Sequence, residues 1–177
     1  GADAAAERLA ALPEWAEAAA VKANPDAPQL PARRAALRAG KTVYMAVPRL
    51  RDEECFVELD PGELADTDAA ATVSGMDDHG TRVGPDAMPR VDLVLSGSVA
   101  VTETGERIGK GEGYSDLEFA VLSELGLVDE STTVATTVHE RQLREGPFGT
   151  DAHDVPMDVV VTPDRTVRTG ATGRPGG

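Results

Sequence analysis

At 177 residues and 41% hydrophobic content, the chain is long enough to bury one core without disulfide staples and too apolar for wholesale disorder. Its 31 acids against 17 bases give a net charge of −14, which disfavours non-specific nucleic-acid binding, and the lone Cys55 excludes an internal disulfide. No apolar run has the length of a membrane span and the alanine-rich, acidic start lacks a signal pattern, so the expected class is a soluble cytoplasmic protein.

Ala2–Leu12 and Glu14–Lys22 read as helices, the second opened by Pro13, whose fixed φ suits a first helical turn. Asn24–Pro28 reads as a turn. Pro31–Ala39 reads as a third helix, stopped by Gly40. Lys41–Val47 is a predicted buried strand ending at Pro48. Glu54–Leu59 is another, carried by its β-branched and aromatic residues, with Cys55 as a buried structural thiol. Asp60–Pro89 is acidic and lacks periodicity, and reads as a functional or mobile loop rather than core. Val91–Leu95 is the strongest strand signal.

After it, Val99–Thr102 and Arg107–Ile108 form a predicted hairpin around Glu103–Glu106, with Gly105 in the turn. Ser115 and Glu118 have capping-box spacing, so a helix starts beside them and runs to Gly126, with Leu117, Ala120, Val121 and Leu125 as its buried stripe. Thr133–Val138 and Met157–Thr162 read as buried strands, and Val167 belongs to a final edge strand. Strands alternating with helices predict an α/β fold, a three-layer α/β/α sandwich with a mainly parallel sheet. One domain is expected over residues 1–169, followed by a flexible tail over 170–177.

Arg107–Asp116, Arg-Ile-Gly-Lys-Gly-Glu-Gly-Tyr-Ser-Asp, is the most informative segment. Its alternating Gly109, Gly111 and Gly113 permit tight turns whose exposed N–H groups form an anion nest. Arg107 and Lys110 add positive charge, and the helix that follows presents further unpaired N–H groups. A triphosphate is one reading, and a flexible turn feeding a capped helix is the other. The glycine spacing matches neither the Walker loop nor the dinucleotide fingerprint.

Asp116 and Asp154 are candidate magnesium ligands, with dipole compensation and turn formation as their ordinary alternatives. His79, His139 and His153 lack ligand spacing, and no Gly-x-Ser-x-Gly elbow surrounds Ser96-Gly97-Ser98. Arg141 and Arg144 read either as anion contacts or as solvated cations. The dispersed acids, with Lys22, Lys41 and Lys110 the only lysines, predict a surface adapted to high salt.

Gly109–Asp116 resembles the Gly-x-Gly-x-Gly-Tyr-Tyr-Asp signature of the 5-formyltetrahydrofolate cyclo-ligase family, also called methenyltetrahydrofolate synthetase. Gly40-Lys41-Thr42-Val43 leading to Val47-Pro48-Arg49 is similar to that family's Gly-Lys…Pro-Arg strand. His153–Asp158 is similar to its closing Asp-x-x-x-Asp segment. The Gly-Lys-Gly-Glu-Gly-Tyr-Ser-Asp-Leu-Glu version looks closer to a divergent branch, the methenyltetrahydrofolate synthetase domain-containing proteins.

The resemblance implies a fold akin to the sugar-phosphate isomerase and CoA-transferase superfold. It also implies ATP- and magnesium-dependent conversion of 5-formyltetrahydrofolate to 5,10-methenyltetrahydrofolate, releasing ADP and phosphate. Carried over by match, Arg107, Ile108, Gly109, Lys110, Gly111, Glu112, Gly113 and Tyr114 would cradle the nucleotide phosphates. Lys110 would neutralise developing charge as the catalytic residue, Asp116 and Asp154 would hold magnesium, and Tyr114 would border the folate. The expected partner is this small-molecule folate.

Departures stand beside these matches. Ser115 replaces the family's second tyrosine, Leu117 replaces a basic residue, and Ala27-Pro28-Gln29 replaces a Glu-x-Thr-like substrate segment. Nothing matches the family's N-terminal ATP-contacting lysine, which implies that this segment is missing here. A non-catalytic nucleotide- or folate-binding module is therefore the alternative. An isomerase or acyl-CoA enzyme lacks an obvious glutamate nucleophile or base.

Overall fold

Short apolar runs make the centre of the molecule in this computed structural model, which describes residues 2–23, 29–46, 56–62, 70–72, 80–96, 100–102, 107–108, 121–129, 131–138, 143–144 and 157–168. The helices are α1 (Ala2–Ala10), α2 (Pro13–Glu17) and α3 (Leu30–Arg38). The strands are β1 (Ala20–Ala23), β2 (Thr42–Ala46), β3 (Phe56–Leu59), β4 (Thr81–Val83), β5 (Leu93–Ser96), β6 (Ala100–Thr102), β7 (Arg107–Ile108), β8 (Thr133–Thr137), β9 (Leu143–Arg144), β10 (Val159–Val161) and β11 (Thr166–Arg168).

An eight-stranded sheet runs β11-β10-β8-β5-β1-β2-β3-β4. Its middle strands β10, β8, β5, β1 and β2 are parallel, and β3, β4 and β11 add antiparallel edges. The fold is thus α/β with a mostly parallel sheet. Strands buried on both faces explain the continuous aliphatic runs of Leu93–Leu95 and Val159–Val161.

The region expected as helix over Glu14–Lys22 is corrected. The helix stops at Glu17, and Ala20–Ala23 is the central strand, buried at every position. Alanine's helical preference is worth only tenths of a kcal/mol per residue and loses to pairing on both sides with β2 and β5. Asp92 fixes the start of β1, because its Oδ2 accepts the backbone N–H groups of Ala19 at 2.9 Å and Ala20 at 3.2 Å.

Other expectations hold within a residue or two. α3 ends before Gly40, whose φ of +84° is the left-handed stop that glycine allows. β6 and β7 pair antiparallel as the expected hairpin, and β11 is the expected edge. The expected loop over Asp60–Pro89 is corrected in part. It contributes β4, a 3-10 turn at Pro85–Ala87, and core residues Ala70, Ala71 and Met88. The helix before Gly126 buries Leu122, while Leu125, assigned to its buried stripe, is exposed. Cys55, the 24–28 turn and the 170–177 tail lie outside the described residues.

Candidate functional site at the carboxyl ends of the central strands

Strand order locates the site. From β1 the chain passes through α3 to β2 on one side, and later returns to β5 on the other side of β1. Strand order therefore reverses between β1 and β5, and open α/β sheets bind ligands in the crevice outside the carboxyl ends at such a reversal.

The small sheet β7-β6-β9 stands at that end. β6 begins four residues after β5, and β9 begins six residues after β8. Four residues span at most about 14 Å, so Ala100 stays near the mouth of β5. Ala100 pairs with Ile108, the residue directly before Gly109. Arg107 and Ile108 are thus the last residues of β7, near the carboxyl end of the large sheet. Gly109, Lys110, Gly111, Glu112, Gly113, Tyr114 and Asp116 themselves lie outside the described residues, as do Arg141 and Asp154.

Of the closing Asp-x-x-x-Asp pattern, only Asp158 lies within the described residues. Asp158 accepts the Val134 N–H on Oδ2 at 2.8 Å, at the amino end of the parallel pair β8 and β10. The closing Asp-x-x-x-Asp pattern therefore has one strand-fixing member in Asp158.

Around the crevice the sheet buries polar side chains. On one face, Gln29 at the start of α3 donates Nε2 to the Thr137 carbonyl and to Thr137 Oγ1, both at 3.1 Å. Thr137 ends β8, two strands from β1. The carbonyl contact fixes the amide orientation, and the buried Gln29 Oε1 has no partner among the described residues. In α3, Arg33 is also buried and donates Nε to the Ala71 carbonyl at 2.9 Å.

The other face carries Lys22, with 1% exposure, in register with Val94 on β5 and Tyr44 on β2. Tyr44 in turn lies opposite Glu58 and donates its hydroxyl to Glu58 Oε2 at 2.7 Å. Burial, and then this carboxylate, raise the Tyr44 phenol above its ordinary pKa. Thr136 is fully buried on the same face, closer to the carboxyl end.

The sequence reading missed Lys22, Arg33 and the Tyr44–Glu58 pair. A lysine inside an alanine-rich run reads as the polar edge of a helix. Only strand pairing reveals that Val21-Lys22-Ala23 is central. Among the described residues no cluster of His, Cys, Asp or Glu forms a metal site, and no helix is long and apolar enough to cross a membrane.

The sequence profile of the 5-formyltetrahydrofolate cyclo-ligase family matches residues 1–163. Methenyltetrahydrofolate synthase domain-containing proteins from Bos taurus and Mus musculus are each 42% identical over 174 residues, covering 96% of this chain and 46% of theirs. The chain thus spans about half the length of these relatives. In fold it is similar to the NMR structure of Aquifex aeolicus 5,10-methenyltetrahydrofolate synthetase, with a TM-score of 0.63 and 22% identity over 97% of this chain and 82% of that one. A 5,10-methenyltetrahydrofolate synthetase from Mycoplasma pneumoniae gives a TM-score of 0.55 and 13% identity over 95% of this chain and 84% of that one. With a family profile that spans nearly all of it, the chain belongs to the 5-formyltetrahydrofolate cyclo-ligase family.

Proposed function

We propose that the chain is an ATP- and magnesium-dependent cyclo-ligase that converts 5-formyltetrahydrofolate to 5,10-methenyltetrahydrofolate with release of ADP and phosphate. The observation that carries this reading is the family match over residues 1–163, which includes the complete 107–116 loop. Two features of the fold agree with it. β7, the strand before that loop, lies near the carboxyl end of the sheet, the end at which open α/β sheets bind ligands, and polar groups of β1 and β8 are buried away from water, where fixed charges act most strongly.

The chain's own chemistry suits the group it would hold. Asp116 and Asp154 offer hard carboxylate oxygens, the donors magnesium prefers, and Arg107 and Lys110 offer cations for phosphate oxygens. Bound magnesium and triphosphate supply an activated phosphoryl group for the formyl oxygen. The loop N–H groups of Gly109–Tyr114 fix its position, Lys110 neutralises charge on it, and Tyr114 borders the folate. Phosphoryl transfer needs such positioning and neutralisation more than a side-chain nucleophile.

A second reading, a nucleotide- or folate-binding module without turnover, is favoured by one observation. Gln29, in the segment that replaces the family's Glu-x-Thr, uses both amide hydrogens on Thr137. ADP release from magnesium-ATP on addition of 5-formyltetrahydrofolate separates the two. Turnover supports the cyclo-ligase, whereas saturable binding of either ligand without ADP supports the module.

A further inference from the structure

We infer that Gln29 Oε1 accepts a hydrogen bond from a ring N–H of a bound ligand, chemistry that the pterin of the folate and the adenine of the nucleotide share. The role rests on the ligand-binding reading above and adds to it a contact outside the glycine loop. Gln29 is 1% exposed, and its Nε2 donates to the Thr137 carbonyl and to Thr137 Oγ1, both at 3.1 Å. A side-chain amide has two N–H donors and one carbonyl acceptor. Both hydrogens are spent on Thr137, so the side chain has only its oxygen left to offer. That oxygen is buried and has no partner among the described residues. An unpaired buried acceptor costs stability, and native proteins pair nearly all of them. A donor is therefore called for here, and a ligand can bring one.

The place of the amide supports that use. Thr137 is the last residue of β8, and Gln29 directly precedes α3, the helix that follows β1. β1 and β8 are the two neighbours of β5. The amide is thus fixed at the carboxyl end of the sheet, beside the reversal between β1 and β5, where open α/β sheets bind ligands. Its two contacts to Thr137 set the orientation before a ligand arrives, so less freedom is lost on binding. The remaining chemistry is selective. Phosphate and carboxylate oxygens are acceptors and gain nothing from Oε1, whereas an amino or imino N–H does. A ligand without that donor leaves the oxygen unpaired and is disfavoured.

The chain has only two glutamines, Gln29 and Gln142, so the ¹³C-glutamine-labelled protein gives two side-chain carbonyl signals, and Gln142→Ala identifies the second. A carbonyl carbon moves downfield when its oxygen gains a hydrogen bond. Magnesium-ATP or 5-formyltetrahydrofolate is expected to move the Gln29 signal in this way, and the one that does so names the ring. Each has a trimmed control without the ring donor: purine riboside triphosphate lacks the 6-amino group, and p-aminobenzoylglutamate lacks the pterin. Both controls are expected to leave the signal in place. A Gln29 signal that neither full ligand moves at saturation overturns the role, as does a shift that the trimmed control reproduces.

Gln29→Met is expected to weaken the responding ligand about 3- to 10-fold and to leave the other ligand's affinity unchanged. Equal loss for both in a folded variant makes Gln29 only a clasp between α3 and β8 and overturns the role. Undiminished affinity for both also overturns it, and if the variant does not fold, the wild-type spectra decide. Turnover in a wild type whose Gln29 signal stays fixed removes this contact alone. A wild type that binds neither ATP nor the folate removes the contact and the cyclo-ligase reading together.

Discussion

Lys110 and Asp129 carry charges with different work. Lys110 belongs to the loop proposed to grip phosphate, so Lys110→Ala should weaken ATP about 10- to 100-fold and slow turnover, because a charge-assisted contact is lost. Isothermal titration with magnesium-ATP checks this, and unchanged affinity would remove Lys110 from the site. Asp129 is structural and lies at the amino end of the sheet. The Ser131 hydroxyl first, and then the Arg90 guanidinium, lower its carboxyl pKa from 3.8 to about 2. Arg90 also pairs with Asp92, which anchors the start of β1. The folded pKa lies below the unfolded one, so this contribution is complete above about pH 3.8 and is lost as pH falls towards 2. Asp129→Asn should therefore lower the urea midpoint at neutral pH and flatten its change across that acid window, whereas parallel curves for the two proteins would contradict the assignment.

At the scale of elements, the turns are set by single residues. Gly40 sits at φ +84° with no atom within 4 Å of a built Cβ, so Gly40→Ala meets only a backbone penalty. A loss of about 1 kcal/mol is expected, read as a lower urea midpoint at unchanged slope. An unchanged midpoint would mean that the α3 stop relaxes without strain. Local signals of this kind made much of the fold legible. Pro31 and Gly40 bracket α3, Val91–Leu95 and Met157–Thr162 read as buried strands and hold β5 and β10, and Val101 and Arg107 pair where a hairpin was expected. β1 was not legible, because its strand character comes from β2 and β5, far away in sequence. β4 was missed because Thr81 and Arg82 are exposed on an edge and carry no apolar alternation. Leu125 misled the helix stripe because the buried position is Leu122. For the candidate site, the glycine loop was readable from spacing, while the burial of Lys22 and Gln29 was not, because it comes from strand pairing and from the contact with Thr137.

For the whole molecule, two properties depend on no single residue. The net charge of −14 repels itself unless salt screens it, so dialysis to low salt should reduce the helical circular-dichroism signal; an unchanged spectrum would contradict adaptation to high salt. The second property is convergence. The carboxyl ends of β1 and β5, between which strand order reverses, and the small sheet that contains β7 lie at one end of the large sheet. The central claim is that this end performs ATP-driven ring closure on a formylated folate. The most direct measurement mixes the protein with magnesium-ATP and 5-formyltetrahydrofolate and follows ADP and the methenyl product together. The account predicts that both appear in equal amounts and that neither appears when ATP or the folate is omitted. ATP and folate bound to a folded protein with no methenyl product formed would contradict it.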